Sequence, residues 1–251
     1  EEILYLSNAD IEAADMPPTD LAASVESMLA QKAVGRTVFT PKLGLYPKPG
    51  TFFQAMAGVM AAEARRIAAP DTVIDVCSAP FGSAYIATRG EAAVAGHALL
   101  SALARHYDGH DVVIVGAFIV PAVTAAAKEM CPVPLIATGE AGLAAASLLG
   151  HALSILSIGA PARRMTEETV ATTGLADRVV SIRDIGLTGT ELTEDQPRGD
   201  AAAIALSLAA VEEDRADVIV LGAGSMEGMA TRIQPEVPVP VVSPVGAAVC
   251  M

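Results

Sequence analysis

Val218-Ile219-Val220-Leu221-Gly222-Ala223-Gly224 decides the fold. Four aliphatic residues run straight into glycine, and Ser225-Met226-Glu227-Gly228 follows. A short unbroken apolar run reads as a strand buried on both faces. Glycines at its end let backbone N–H groups approach an anionic ligand where the next helix starts, and Ser225 adds a hydroxyl donor there. The same order recurs upstream in Val112-Val113-Ile114-Val115-Gly116-Ala117-Phe118. Two strand–turn–helix units of the same kind predict two similar halves facing one cleft.

Working outward, further β-branched runs read as strands at 72–76, 133–136, 153–158, 178–182 and 239–242, beside those at 112–118 and 218–221. Ala-rich periodic segments at 91–107, 121–130, 142–149, 161–173, 199–214 and 226–234 read as helices. Continuous apolar strands that alternate with helices predict a parallel sheet covered on both faces. Residues 1–50 differ. They carry few strand signals, an amphipathic helical pattern over 21–31, and the cluster Tyr46-Pro47-Lys48-Pro49-Gly50, which marks a division near residues 49–51.

The chain has 251 residues, of which 52% are hydrophobic, with a mean hydropathy of +0.47. That supplies a sizeable core and argues against disorder. A net charge of −13 repels nucleic acid and anionic membranes, so neither is expected as a partner. The longest apolar run, 112–127, is shorter than the ~20 residues of a membrane span and contains Pro121. The N-terminus shows no basic segment followed by an apolar one, and a cytoplasmic location is expected. Cys77, Cys131 and Cys250 lack metal-ligand spacing, so neither a metal site nor a disulfide framework is expected.

From about Thr51 to Val249 the chain resembles the hydantoin racemase branch of the Asp/Glu racemase superfamily. The stretches that carry the resemblance are Ala61-Ala62-Glu63-Ala64-Arg65-Arg66-Ile67-Ala68-Ala69-Pro70-Asp71-Thr72, Ala79-Pro80-Phe81-Gly82-Ser83-Ala84-Tyr85-Ile86, Gly139-Glu140-Ala141, Leu148-Leu149-Gly150-His151, Gly174-Leu175-Ala176-Asp177-Arg178 and Val218-Ile219-Val220-Leu221-Gly222. In that family each of the two opening motifs carries a catalytic cysteine. This chain reads Ala117 and Ala223 there. Two-base racemisation needs an acid and a base on opposite faces of the substrate carbon, and alanine offers neither. The family's Phe-Gly-Asp-Pro-Gly-Leu reads Phe118-Ile119-Val120-Pro121-Ala122-Val123, so an acidic side chain is lost as well. A change of that extent reads as divergence rather than a pair of inactivating substitutions.

The first 58 residues resemble the N-terminal segment of the ornithine cyclodeaminase/mu-crystallin family, through Ile3-Leu4-Tyr5-Leu6-Ser7-Asn8-Ala9-Asp10 and the stretch from Thr40 to Met56. The resemblance implies a role in oligomerisation, and a homo-oligomer is expected. The segment stands where the racemase family has its first strand and Asn-Thr-Ser turn, leaving Thr51 as the candidate turn hydroxyl.

The candidate substrate contacts are Thr51, Ser78, Phe118, Glu140, Ser157, Gly222, Gly224 and Ser225. Ser78 and Ser157 fall at strand ends, where each serves either a substrate carboxylate or imide, or a helix cap. Glu140 is either a pocket carboxylate or a partner of its helix dipole. Cys77 is either a displaced thiol at a strand end or a buried small residue. Gly222-Ala223-Gly224-Ser225-Met226-Glu227-Gly228 also has the look of a dinucleotide fingerprint, but no second strand ends in an acidic residue about 20 positions on. No cofactor is therefore expected.

These readings predict an α/β protein with two pseudo-symmetric, three-layer, parallel-sheet halves, over 51–130 plus the C-terminal end and over 131–235, behind an appendage at 1–50. The implied function is that of a racemase or isomerase acting on a small hydantoin, amide or amino-acid-type carbon acid. The alternative is a catalytically inert binding or regulatory protein that keeps the cleft.

Overall fold

The two opening stretches lie in two different parallel sheets. The computed structural model describes residues 53–79, 81–82, 86–119 and 121–251. The expected 21–31 helix, the division near residue 50 and Thr51 lie outside the described residues. All described residues belong to one unit.

In the first sheet, β1 (Val113–Val115) pairs in parallel with β2 (Leu135–Ala137), Val113 opposite Leu135 and Val115 opposite Ala137. The second sheet has the order β4 (Val179–Asp184), β3 (Leu153–Ser157), β5 (Val218–Leu221), β6 (Val241–Val242), all parallel. The helices are α1 (Phe53–Ile67), α2 (Arg89–His106), α3 (Pro121–Met130), α4 (Thr138–Leu149), α5 (Arg163–Thr172), α6 (Gly189–Glu194), α7 (Gln196–Glu213), α8 (Met229–Ile233) and α9 (Pro244–Val249). None of the described helices is long and apolar enough to cross a membrane.

The runs in the second sheet's centre are buried on both faces, as such runs in parallel sheets are, whereas β1 is not: Ile114 is exposed and only Val115 is buried. Every residue of β3 and β5 is buried. Because side chains alternate along a strand, the two faces separate cleanly. Val218 and Val220 pack with Leu153, Ile155, Leu143 of α4 and Val170 of α5. Ile219 and Leu221 pack with Leu156, Leu192 of α6, Ala203 of α7 and Ile233 of α8. Ile219→Ala is therefore expected to cost about 2–5 kcal/mol, read as a lower urea midpoint. Val180→Ala, on half-exposed β4, should cost less than about 1 kcal/mol. Equal losses at the two sites would contradict the burial described.

Several expectations need correction. Residues 72–79 form no strand, although 72–76 is β-rich. Val73 and Val76 are exposed, and the segment is held by an Arg65 Nη2 bond to the Ile74 carbonyl at 3.4 Å and a His110–Asp75 contact at 3.2 Å. β-propensity makes no strand without a neighbouring edge. The two described sheets are accordingly unequal in size, two strands against four. β2 joins the first sheet and β6 the second, so the sheets divide between Ala137 and Leu153. The strand expected at 239–242 shrinks to two residues, because Pro240 has no N–H to give a ladder.

The helix expected at 226–234 is broken. A 3-10 turn (Gly224–Met226) is followed by Gly228 at φ 78°, and α8 begins only then. Helix α4 starts at Thr138, directly after β2, rather than at Gly142. Helix α7 starts at Gln196 rather than Gly199, because proline is tolerated in a first helical turn. Helix α6 was not expected, yet Thr188 and Glu191 form a capping box that opens it.

Candidate functional site

Strand order places a crevice. After β3 the chain turns to the face covered by α5, and after β5 it turns to the opposite face, covered by α8. Where neighbouring parallel strands send their connections to opposite faces, a crevice opens beyond their carboxyl ends, and ligands bind there. Its two walls here are Ser157-Ile158-Gly159 and Gly222-Ala223-Gly224-Ser225.

The walls touch through backbone. The Gly222 N–H donates to the Leu156 carbonyl at 2.7 Å, and a Cβ on Gly222 would sit 2.6 Å from that oxygen. Only glycine allows this approach. Ala223 follows in extended backbone, half-buried against the Leu156 cluster. Ser157 and Ser225 are buried, and neither hydroxyl has a hydrogen-bond partner among the described residues. Ser157 therefore caps nothing here. The Gly159 N–H is taken by Asp184 Oδ1 at 2.8 Å, and that oxygen also accepts from Gly186 N–H at 3.0 Å. A recess of about 280 Å³ continues along the β3–β4 edge, lined by Ile158, Gly159, Asp184, Gly186, Leu187 and Thr188.

The loop after β1 is fastened to the second sheet by Phe118. Its side chain is buried among Leu153, Ile155, Val218 and Val220, so it anchors the loop and is not open to a ligand. The anchor's carbonyl lies against the first turn of α4, where a Cβ on Gly139 would come within 2.5 Å of it. Ala117, one residue earlier, is half-buried against Leu103, Val115 and Leu135. Glu140 accepts from Lys128 Nζ at 2.5 Å, which makes it half of an α3–α4 surface pair. Ser78 and Cys77 are exposed on the unpaired 72–79 segment, so the reading of Cys77 as a buried small residue fails. Cys131 packs against the Leu103 cluster, as a structural residue does.

One cluster escaped the sequence reading. Glu227 is 4% exposed, in the turn that follows Ala223. Its carboxylate accepts from Ser243 Oγ at 2.6 Å and from the Val245 N–H at 3.4 Å, at the start of α9. Burial pushes this carboxyl up to about 7, against the pull of those two bonds, and the neighbouring Glu63 charge adds to the rise. Glu63, on α1, is also buried and is held bidentately by Arg66 at 2.8 and 2.9 Å. The signal available in advance was an acidic residue set among alanines and methionines at each of the two positions.

A family model described as Asp/Glu/Hydantoin racemase matches residues 54–251. A hydantoin racemase of Paenarthrobacter aurescens is 29% identical over 196 residues, covering 77% of this chain and 83% of that one. The crystal structure of an allantoin racemase from Pseudomonas fluorescens superimposes with a TM-score of 0.76 at 29% identity, over 80% of this chain and 85% of that one. An allantoin racemase from Klebsiella pneumoniae gives 0.74 at 27% identity, over 78% and 80%.

Proposed function

Because the chain belongs to the Asp/Glu/hydantoin racemase family, we propose that the crevice at the ends of β3 and β5 takes a small carbon acid of hydantoin, amide or amino-acid type, and that this chain lacks the thiol pair with which its family moves the proton. The observation that carries the reading is the presence of Ala117 and Ala223 at the same place in two strand-to-turn loops. The reading is supported by relatives named as hydantoin and allantoin racemases. Recognition falls to the Ala223–Ser225 backbone, since the Gly222 N–H is spent on the Leu156 carbonyl, and to the buried Ser157 and Ser225 hydroxyls, which suit carbonyl or carboxylate oxygens. Oligomerisation through residues 1–50 and the division near residue 50 belong to the same proposal.

The test is α-proton exchange in D₂O followed by NMR, over a panel of 5-substituted hydantoins, allantoin and free amino acids. The expected result is saturable binding of at least one panel member, with exchange at the no-enzyme rate and no effect of iodoacetamide. Iodoacetamide-sensitive exchange would mean that a thiol still acts and would overturn the reading. So would a complete lack of binding.

A further inference from the structure

Helix α1 passes both half-site loops. Its Met60 side chain lies against the loop after β1, where a Cβ on Gly116 would come within 2.5 Å of the thioether methyl. One turn on, Glu63 faces Glu227 in the turn after β5. Arg66 then reaches Thr231 of α8 at 3.4 Å, and Ile67 lies against Gly246 of α9. The turn after β5 is thus clamped between α1 and α9 by one buried side chain.

We propose that Glu227 is a positioning residue of this site: with Glu63 it forms a buried carboxyl pair that sets how firmly the 222–228 turn is held against α1 and α9, and through α1 it ties that turn to the loop after β1. The inference rests on the reading of the turn after β5 as a site wall and of the loop after β1 as the second half-site. The clamp runs through Ser243, whose hydroxyl donates to Glu227 and accepts from the Gly246 N–H at 3.0 Å.

Few charged groups face the pair. From α1 come Glu63 and Arg66, the latter already spent on Glu63. Neither α9 nor the Gly224–Met226 turn contains an ionisable side chain. Arg232 of α8 is ion-paired with Asp200 at 2.7 Å, and Glu140 of α4 with Lys128. An ionised Glu227 therefore sits beside a second carboxylate without a cation of its own. The closed turn favours the neutral acid, and an opened turn lets water hydrate the anion. Raising the pH loosens the turn.

The experiment is hydrogen exchange by mass spectrometry on the full chain at pH 5 and pH 8, with each rate divided by its intrinsic value. In the wild type, protection of peptides spanning 222–228 and 243–249 should fall at least about tenfold at the higher pH, and the 116–119 loop should follow. Glu227→Gln keeps the acceptor for Ser243 without the charge, so its protection should match the wild type at pH 5 and stay there at pH 8. Glu63→Gln should shrink the wild-type difference by removing the neighbouring charge. Protection that does not change with pH in the wild type overturns the proposal. So does Glu227→Gln protection lost equally at both pH values, or a Glu63→Gln variant with the full pH response. None of these readings needs a substrate, so a failure here is distinct from a failure to bind a carbon acid.

Discussion

Ala117→Cys combined with Ala223→Cys is expected to raise racemisation of 5-substituted hydantoins by about 10²-fold or more over the parent, which is the usual range for one well-placed acid–base group. Both alanines are half-buried rather than sealed in the core, so either place has room for a thiol. Both follow the end of a strand, and their backbones are pinned by neighbours that tolerate little change, Phe118 in one loop and Gly222 in the other. Exchange with inversion needs a proton removed on one face and returned on the other. Each single variant should therefore give far less than the pair, and the excess of the pair over the product of the singles measures cooperation across the cleft. A double variant that folds, binds hydantoin and stays inert would locate the divergence in the rest of the first loop. There Ile119 and Val120 stand where the family resemblance implies glycine and aspartate.

The second large effect is on stability. The Glu227 carboxyl, at about 7 in the folded chain against an ordinary 4.5, binds its proton more tightly folded than unfolded. Its contribution is fully present below about pH 4.5, is lost as the pH rises from there to about 7, and is gone above that. A rise of this size corresponds to about 3 kcal/mol at most. Glu227→Gln should remove that slope. Urea midpoints of variant and wild type should coincide near pH 4.5, with the variant more stable by 1 to about 3 kcal/mol at pH 8. Carboxylates held low by hydrogen bonds, such as Asp214 beside Arg183 and Asp217 under the His151 and Ala152 amides, lose their share only in more acid solution. The difference between the two proteins cancels them. A variant less stable than wild type at pH 8 would show that Glu227 acts as an ionised cap for α9 instead.

The strands at 153–158 and 218–221 were legible because each is an apolar-rich run, and burial on both faces leaves such a run one arrangement; the half-exposed strand at 178–182 was legible from its β-branched residues. The 72–76 run had the same residue types and failed. A strand also needs an edge to pair with, and that is a property of the fold rather than of the segment. Capping chemistry was legible but unused at Thr188–Glu191, where four residues announce α6. The break at Gly228 was harder, because a glycine inside a helical pattern signals either packing or a stop.

At the site, the repeated strand-to-glycine pattern singled out Ala117, Ala223 and Gly222, but the Gly222 N–H read as a ligand donor goes to the Leu156 carbonyl. Phe118 and Glu140 read as ligand contacts, yet the fold spends one on core anchoring and the other on Lys128. The Glu63–Glu227 pair stayed hidden because its members sit on separate elements far apart in the chain. Nothing in a one-dimensional pattern announces that two carboxyls share one buried space.

The most direct test of the central claim, that the racemase cleft persists without its thiols, is a titration of the ¹⁵N-labelled chain with a 5-substituted hydantoin, followed by amide shifts. Saturable shifts are expected, concentrated at Gly159, Gly222, Gly224 and Ser225, with the loop around Ala117 moving at the same ligand concentration. Shifts confined to other surfaces, or none at millimolar ligand for any member of the hydantoin, allantoin and amino-acid panel, would contradict it.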